Sequence, residues 1–192
     1  MKSGKIVIIL GVSASGKTYY KERLTKKFEL YQLRRVITRP RRERENNSTD
    51  INVSKKQFRT MKKRKDFFIY TKINKDYYGY LKEDLKIVED GKNSIGDCYY
   101  KLIKKLRKIM KDELVIICLQ PYNLEKTIEK IVRERIDYKK RVKDAKREYK
   151  FYEKNKDKID FMVYTDYSTK TDKKVDEIIT RIIGDWKGKL WT

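Results

Sequence analysis

Short apolar runs alternate along this chain with charged stretches of helical period. That rhythm predicts an α/β domain with a five-stranded, mostly parallel sheet flanked by helices. KIVIIL (5–10) reads as a buried first strand, followed by a loop and a helix over about Lys17–Phe28. A second strand is expected over Tyr31–Ile37. Ser54 and Gln57 have capping-box spacing and open a short helix reaching about Lys63. FFIYTKI (67–73), a turn at Asn74-Lys75-Asp76 and YYGY (77–80) predict an antiparallel hairpin. A helix over 81–90 then stops at Gly91.

Strands over 93–97, 113–119 and 161–165 continue the pattern, with helices over 100–110, 123–135, Tyr138–Lys154 and 172–183. The terminal DWKGKLWT reads as a tail whose tryptophans suggest packing. No repeat or low-complexity linker interrupts the 192 residues, a length that supports one core.

Composition narrows the chemistry. Lys and Arg number 51 against 28 Asp and Glu, a net charge of +23, and histidine is absent. So basic a chain attracts polyanions: nucleic acid, acidic membrane or phosphorylated small molecules. Lysine exceeds arginine, and alanine occurs only at Ala14 and Ala145, so part of the charge reflects compositional bias. The absence of histidine rules out histidine-based catalysis. Cys98 and Cys118 form no framework of metal or disulfide spacing, which makes a reducing cytoplasm the expected setting. The apolar runs IVIIL and VIICL are far too short to span a membrane.

One motif is specific. Gly11-Val-Ser13-Ala14-Ser15-Gly16-Lys17-Thr18 matches GxxxxGK[ST] between a predicted strand and a predicted helix. The glycines permit a tight turn whose backbone N–H groups converge on an anion at a helix N-terminus. In such a loop the lysine reaches the β- and γ-phosphates, and the Thr18 hydroxyl is a Mg²⁺ ligand. A nucleoside triphosphate, ATP by preference, is the expected ligand. The arginine-rich stretch RRVITRPRRER at 34–44 suits a second phosphate, because guanidinium forks match phosphate geometry better than ammonium groups do.

In that order and spacing, four segments resemble the guanylate kinase family. They are the GVSASGKT loop; Thr38-Arg39-Pro40-Arg41-Arg42 with Glu45 and Asp50-Ile-Asn-Val-Ser54; the Tyr77-Tyr78-Gly79 hairpin; and the arginine-bearing helices around 133–141. The resemblance implies a core (1–34, 93–132 and 146–185), an acceptor-binding module (about 35–92) and a lid (about 133–145). It implies that Arg39 and Arg42 grip the acceptor's phosphate with Tyr78, and that lid arginines stabilise the transferring phosphoryl group. Arg141 matches the lid best, and Arg133 and Arg135 compete for the other position. Thr165-Asp166 falls where the family's adenine loop lies. Asp97 is similar to a strand-end aspartate near Mg²⁺, a second candidate metal ligand.

The resemblance also marks departures. Aligned on Tyr-Tyr-Gly, the family's guanine-reading glutamate is replaced by Ile69, beside Tyr70. The Ser or Thr after Gly79 is Tyr80, the aspartate two residues past Asp97 is Tyr99, and a serine is Arg35. Arg34-Arg35-Val-Ile-Thr-Arg-Pro40 is similar to the relative that phosphorylates ribose bisphosphate. That relative lacks the second arginine, which is present here as Arg42. The expected activity is γ-phosphoryl transfer from ATP to a nucleoside monophosphate, GMP by resemblance. A sugar-phosphate kinase is the nearest alternative; a non-catalytic or nucleic-acid-associated module is a third, less favoured reading. A monomer or homodimer fits equally.

Overall fold

The computed structural model describes residues 3–41, 49–134, 136–166 and 168–184. β1 (Ile6–Gly11) is buried at every position and leads through a glycine loop into α1 (Lys17–Phe28). β2 (Tyr31–Gln32), β3 (Arg35–Ile37) and β4 (Asp50–Asn52) follow, then α2 (Lys55–Lys63), β5 (Phe67–Ile73), β6 (Asp76–Leu81) and α3 (Glu83–Glu89). The chain continues through β7 (Ser94–Asp97), α4 (Ile103–Met110), β8 (Leu114–Pro121), α5 (Leu124–Glu134), α6 (Tyr138–Lys154), β9 (Phe161–Thr165) and α7 (Thr169–Ile183). The tail DWKGKLWT lies outside the described residues.

Five strands form a parallel sheet in the order β2-β7-β1-β8-β9. Alternate side chains of β1 and β8 enter two different cores, as the two-residue period of a strand requires. Ile6, Ile8, Leu10, Leu114, Ile116 and Cys118 pack with Ile103, Leu106, Ala145 and Tyr152. On the other face Val7, Ile9, Val115, Ile117 and Leu119 pack with Tyr20, Leu24, Val175 and Ile179. Helices therefore cover both faces. Each fully buried Val, Leu or Ile among them contributes about 1.5–3 kcal/mol by leaving water.

A second, mixed sheet runs β4-β3-β6-β5. Its outer face carries Val36, Phe67 and Leu81 against Phe58 of α2, with the Phe58 and Phe67 rings stacked at 4.5 Å. Ser54 caps α2 reciprocally with Gln57, as the spacing predicts. Phe67 pairs with Leu81 while Ile69 pairs with Tyr80, so the register shifts at Phe68. That bulge sends Phe67 and Ile69 to opposite faces.

The expected strand over Tyr31–Ile37 is two strands in two sheets. Leu33 N still donates to Ile95 O at 2.9 Å, but Arg34 N donates to the Asp84 carboxylate at 2.7 Å and Arg35 N to Thr49 O at 2.7 Å. Asp84 is wholly buried and also accepts from Arg34 Nε and Nη2 and from the Tyr31 hydroxyl. A side chain thus satisfies the backbone where the chain changes sheets. The three-residue β4, too short for its pattern to register, pairs with β3 in parallel. The helix expected over 100–110 opens as a 3₁₀ turn at Tyr100–Leu102. The last helix starts at Thr169 rather than 172, because Ser168 accepts from Thr171 N and caps it.

Asp84→Ala is expected to lower stability by about 2–4 kcal/mol, because it strips partners from a backbone N–H and a guanidinium. Chemical denaturation checks this; an unchanged midpoint would show that the crossing does not depend on the carboxylate.

Candidate active site

The loop between β1 and α1 is shaped by three residues with positive φ: Gly11 (149°), Ala14 (65°) and Gly16 (84°). A Cβ at Gly11 would collide with Ser15 Oγ and with Leu119 O, so only glycine lets the loop close on itself. Gly16 is the N-cap of α1, and Thr18 is exposed on its first turn. The first turn carries no acidic residue, and Lys26 and Lys27 sit in the last turn. The helix therefore presents its positive end to the loop. Lys17 folds back, donating to Gly11 O at 2.9 Å and Val12 O at 2.8 Å. Burial holds its pKa below the usual lysine value, although Glu148 and Asp97 pull it upward.

α6 meets this loop. Arg141 Nη1 lies 3.3 Å from Ser13 Oγ, and its Nε bonds Asp137 one turn earlier. Arg133, at the end of α5, is 79% exposed and pairs only loosely with Glu134 at 3.7 Å. The structure brings Arg141 to the loop and leaves Arg133 in solvent. Arg135 and Arg42 lie outside the described residues, as do Arg44 and Glu45.

Strand register sorts the remaining candidates. Arg35 pairs with Tyr80 and Asp50, Ile37 with Tyr78, Ile69 with Tyr80, and Thr71 with Tyr78. These side chains share the face of the second sheet that looks toward the parallel core. Arg39 follows β3 and is half-buried; its Nη1 donates to Pro40 O, and Asn52 Nδ2 donates to Arg39 O. Arg39 and Tyr78 therefore stand at one end of this face, and Arg35 and Tyr80 at the other.

Four expected acceptor-binding residues are placed otherwise. Ile69 is only 1% exposed and joins the main core. Tyr80 is 5% exposed and spends its hydroxyl on the Asp97 carbonyl. Tyr70 packs on the opposite face, with Lys62 Nζ 4.8 Å and Lys105 Nζ 5.4 Å from its ring. Gly79 serves packing, since a Cβ there would sit 2.7 Å from the Phe67 ring.

Asp97 is paired on both oxygens. Lys21 Nζ donates to its Oδ1 at 2.8 Å and Arg35 Nη1 to its Oδ2 at 2.7 Å. Burial opposes its ionisation, but the Arg35 guanidinium and the Lys21 ammonium outweigh that and hold its pKa well below the usual carboxylate range. With both oxygens on cations it is not poised as a metal ligand. Thr165 is buried at the end of β9. Asp166 accepts from Ser168 N at 3.0 Å and Thr171 Oγ1 at 2.8 Å, bonds that lower its pKa to about 2 and fix the turn into α7.

Between the β5–β6 hairpin and α6 lies a cleft of about 400 Å³, lined by Thr71, Ile73, Tyr99, Asp144, Arg147 and Glu148 among others. Tyr99 was expected here; Thr71 and Glu148 were not. Period-two spacing from Ile69 reaches Thr71, and two helical turns from Arg141 reach Glu148, so both signals were present. Burial pushes the Glu148 carboxyl above its ordinary pKa, against the opposing pull of Lys17.

Arg141→Ala is expected to lower kcat about 100-fold or more with little change in ATP affinity, as removal of a charge-stabilising donor does. Arg133→Ala should stay within about threefold of wild type, since exposed charges contribute little. Steady-state kinetics check the pair; equal losses would contradict the placement of Arg141.

A family model of guanylate kinase matches residues 3–182. Curated relatives include the guanylate kinases of Rickettsia prowazekii, 26% identical over 180 residues, and Rickettsia typhi, 29% over 185. Each of these matches covers 92% of this chain and 90% of the relative. A third, from Bartonella henselae, is 25% identical over 138 residues, covering 71% of this chain and 62% of that protein. The crystal structure of guanylate kinase from Anaplasma phagocytophilum superposes with a TM-score of 0.73 over 93% of this chain and 86% of that one, at 16% identity. Since the family model spans the phosphate loop, the second sheet and the lid helix together, this chain belongs to the guanylate kinase family, a family of ATP-dependent nucleoside-monophosphate kinases.

Proposed function

We propose that this chain transfers the γ-phosphoryl group of ATP to the phosphate of GMP. The observation that carries the reading is the approach of Arg141 to Ser13 beside the Lys17 loop, with Glu148 of the same helix facing Lys17 and lining the cleft against the β5–β6 hairpin. ATP phosphates would take the backbone N–H groups of residues 13–18, and Lys17 would exchange its two loop carbonyls for phosphate oxygens. The adenine would lie by Thr165 and Asp166. Arg39 and Tyr78, with Arg42, would hold the acceptor's phosphate.

A hydroxyl at the first turn of α1, next to a loop that only glycine permits, fits a Mg²⁺ that would accompany the triphosphate. Thr18 is its protein ligand in this reading, and the ion would neutralise charge on the phosphates. Asp97 pairs with Arg35 and Lys21, which favours Thr18 over it as the ligand in this reading. No general base is needed, because a phosphate monoester has a second pKa of about 6 and is already a dianion at neutral pH. Positioning and cationic charge would carry the rest, with Lys17 and Arg141 facing the transferring group.

The test is phosphoryl transfer from ATP to GMP, dGMP, AMP, UMP, dTMP and ribose bisphosphate. GMP is expected to be the best acceptor, with turnover abolished in Lys17→Ala. Arg39→Ala should raise the acceptor KM about tenfold or more while leaving ATP affinity unchanged. Preference for ribose bisphosphate would replace this reading with a sugar-phosphate kinase. ATP binding without transfer to any acceptor would replace it with a non-catalytic module.

A further inference from the structure

Around the outer face of the second sheet, turned away from Arg35 and Tyr78, lies a concentration of cations that the proposed reaction does not use. α2 exposes Lys55, Arg59 and Lys62 at i, i+4 and i+7, a single row about 10 Å long. α4 exposes Lys104, Lys105 and Lys108 within little more than one turn. The two groups meet at Tyr70, whose ring centroid has Lys62 Nζ at 4.8 Å and Lys105 Nζ at 5.4 Å. Attraction to the ring holds both ammonium groups without neutralising them. They repel one another across a distance comparable with the Debye length of about 8 Å.

A compositional bias toward lysine explains the number of these cations but not their missing partners. Elsewhere exposed cations sit beside carboxylates: Lys27 with Asp176, Arg147 with Asp144 and Lys156 with Glu153. Residues 51–65 and 98–111 contain no Asp or Glu, although 28 of the 192 residues are acidic. Of the carboxylates that border them, Asp66 pairs with Arg64, and Asp50 and Asp97 pair with Arg35. Among the described residues, none of the six cations has a carboxylate within ion-pair distance.

Two adjoining groups of cations on convex helix surfaces suit an extended polyanion better than a single phosphate. On α2 and α4, Ile109 is the one large apolar side chain exposed among the described residues. Protein partners and membrane interfaces draw on larger apolar anchors than that. We propose that the α2–α4 surface binds the phosphate backbone of nucleic acid without reading its sequence. Lysine and arginine contacts to phosphates release condensed counterions, which drives such binding and makes it sensitive to salt. Tyr70 and α2 lie across the second sheet from the acceptor face, so the inference does not rest on the kinase reading.

The experiment measures fluorescence anisotropy of a labelled duplex of about 20 base pairs and mixed sequence with the full chain, between about 50 and 200 mM salt. A micromolar Kd at the low end and a slope of log K against log salt near −5 are expected from six phosphate contacts. Lys62→Gln with Lys105→Gln should weaken binding about tenfold or more and make the slope shallower by about two. Lys173→Gln with Lys174→Gln removes the same charge from α7, where acidic residues are interspersed, and should change Kd by less than about twofold. Phosphoryl transfer to GMP should be unaffected by the duplex. Equal weakening by the two double variants would overturn the inference in favour of diffuse charge. Competition of the duplex with GMP would place binding at the acceptor face and overturn it too. Absence of binding at about 50 mM salt overturns it outright, and capture of phosphatidylserine vesicles in that case would assign the surface to a membrane.

Discussion

Arg35 stands on one sheet and Asp97 on the other, and their contact at 2.7 Å ties the second sheet to the parallel one. Asp97 ends the strand beside β1, opposite Ile9, and β1 runs directly into the phosphate loop. Arg35 begins the strand that leads to Arg39. A displacement of either residue would move Arg39 relative to Lys17, and the proposed phosphoryl transfer would tolerate little misplacement. Burying this much charge is unfavourable unless every member is paired. Asp50 and Lys21 complete the pairing, so two cations and two carboxylates neutralise one another. The adjacent crossing at Arg34, locked on Asp84, keeps the two sheets in register from the chain side.

The phosphate loop, the long central strands and the Ser54–Gln57 cap were legible because their determinants are local. Gly11 to Thr18 is one continuous motif, and the alternation in β1 and β8 is read within six residues. The break at Leu33–Arg34 was not legible, since its cause is a carboxylate fifty residues later in the chain. The inward turn of Ile69 was hidden for a similar reason. A bulge at Phe68 reverses which face follows Phe67, and nothing in FFIYTKI announces an extra residue. Tyr70, adjacent in sequence to Ile69, therefore faces α2 instead of a ligand. The choice of Arg141 over Arg133 required knowing which helix turns toward Ser13. Family resemblance supplied the roles; geometry supplied the placement.

The chain has no histidine and a net charge of +23. In the proposed reaction Lys17, Arg141 and Arg39 would all oppose phosphate, and none would move a proton. Glu148 faces Lys17 from α6 and lines the cleft, and burial raises the pKa of its carboxyl against the pull of Lys17. The acceptor module's aromatic stack of Phe58, Phe67 and Tyr77 lies on the far face of its sheet and supports the near one. Polar and apolar work are thereby separated across one layer of β-structure.

A double-mutant cycle on Arg35→Gln and Asp97→Asn, read by equilibrium unfolding near neutral pH and by the acceptor KM, addresses the bridging contact directly. A coupling of about 2 kcal/mol or more between the two changes, appearing in both readouts, is the expected result. Additivity to within about 0.5 kcal/mol in both would mean that the sheets are held by something else.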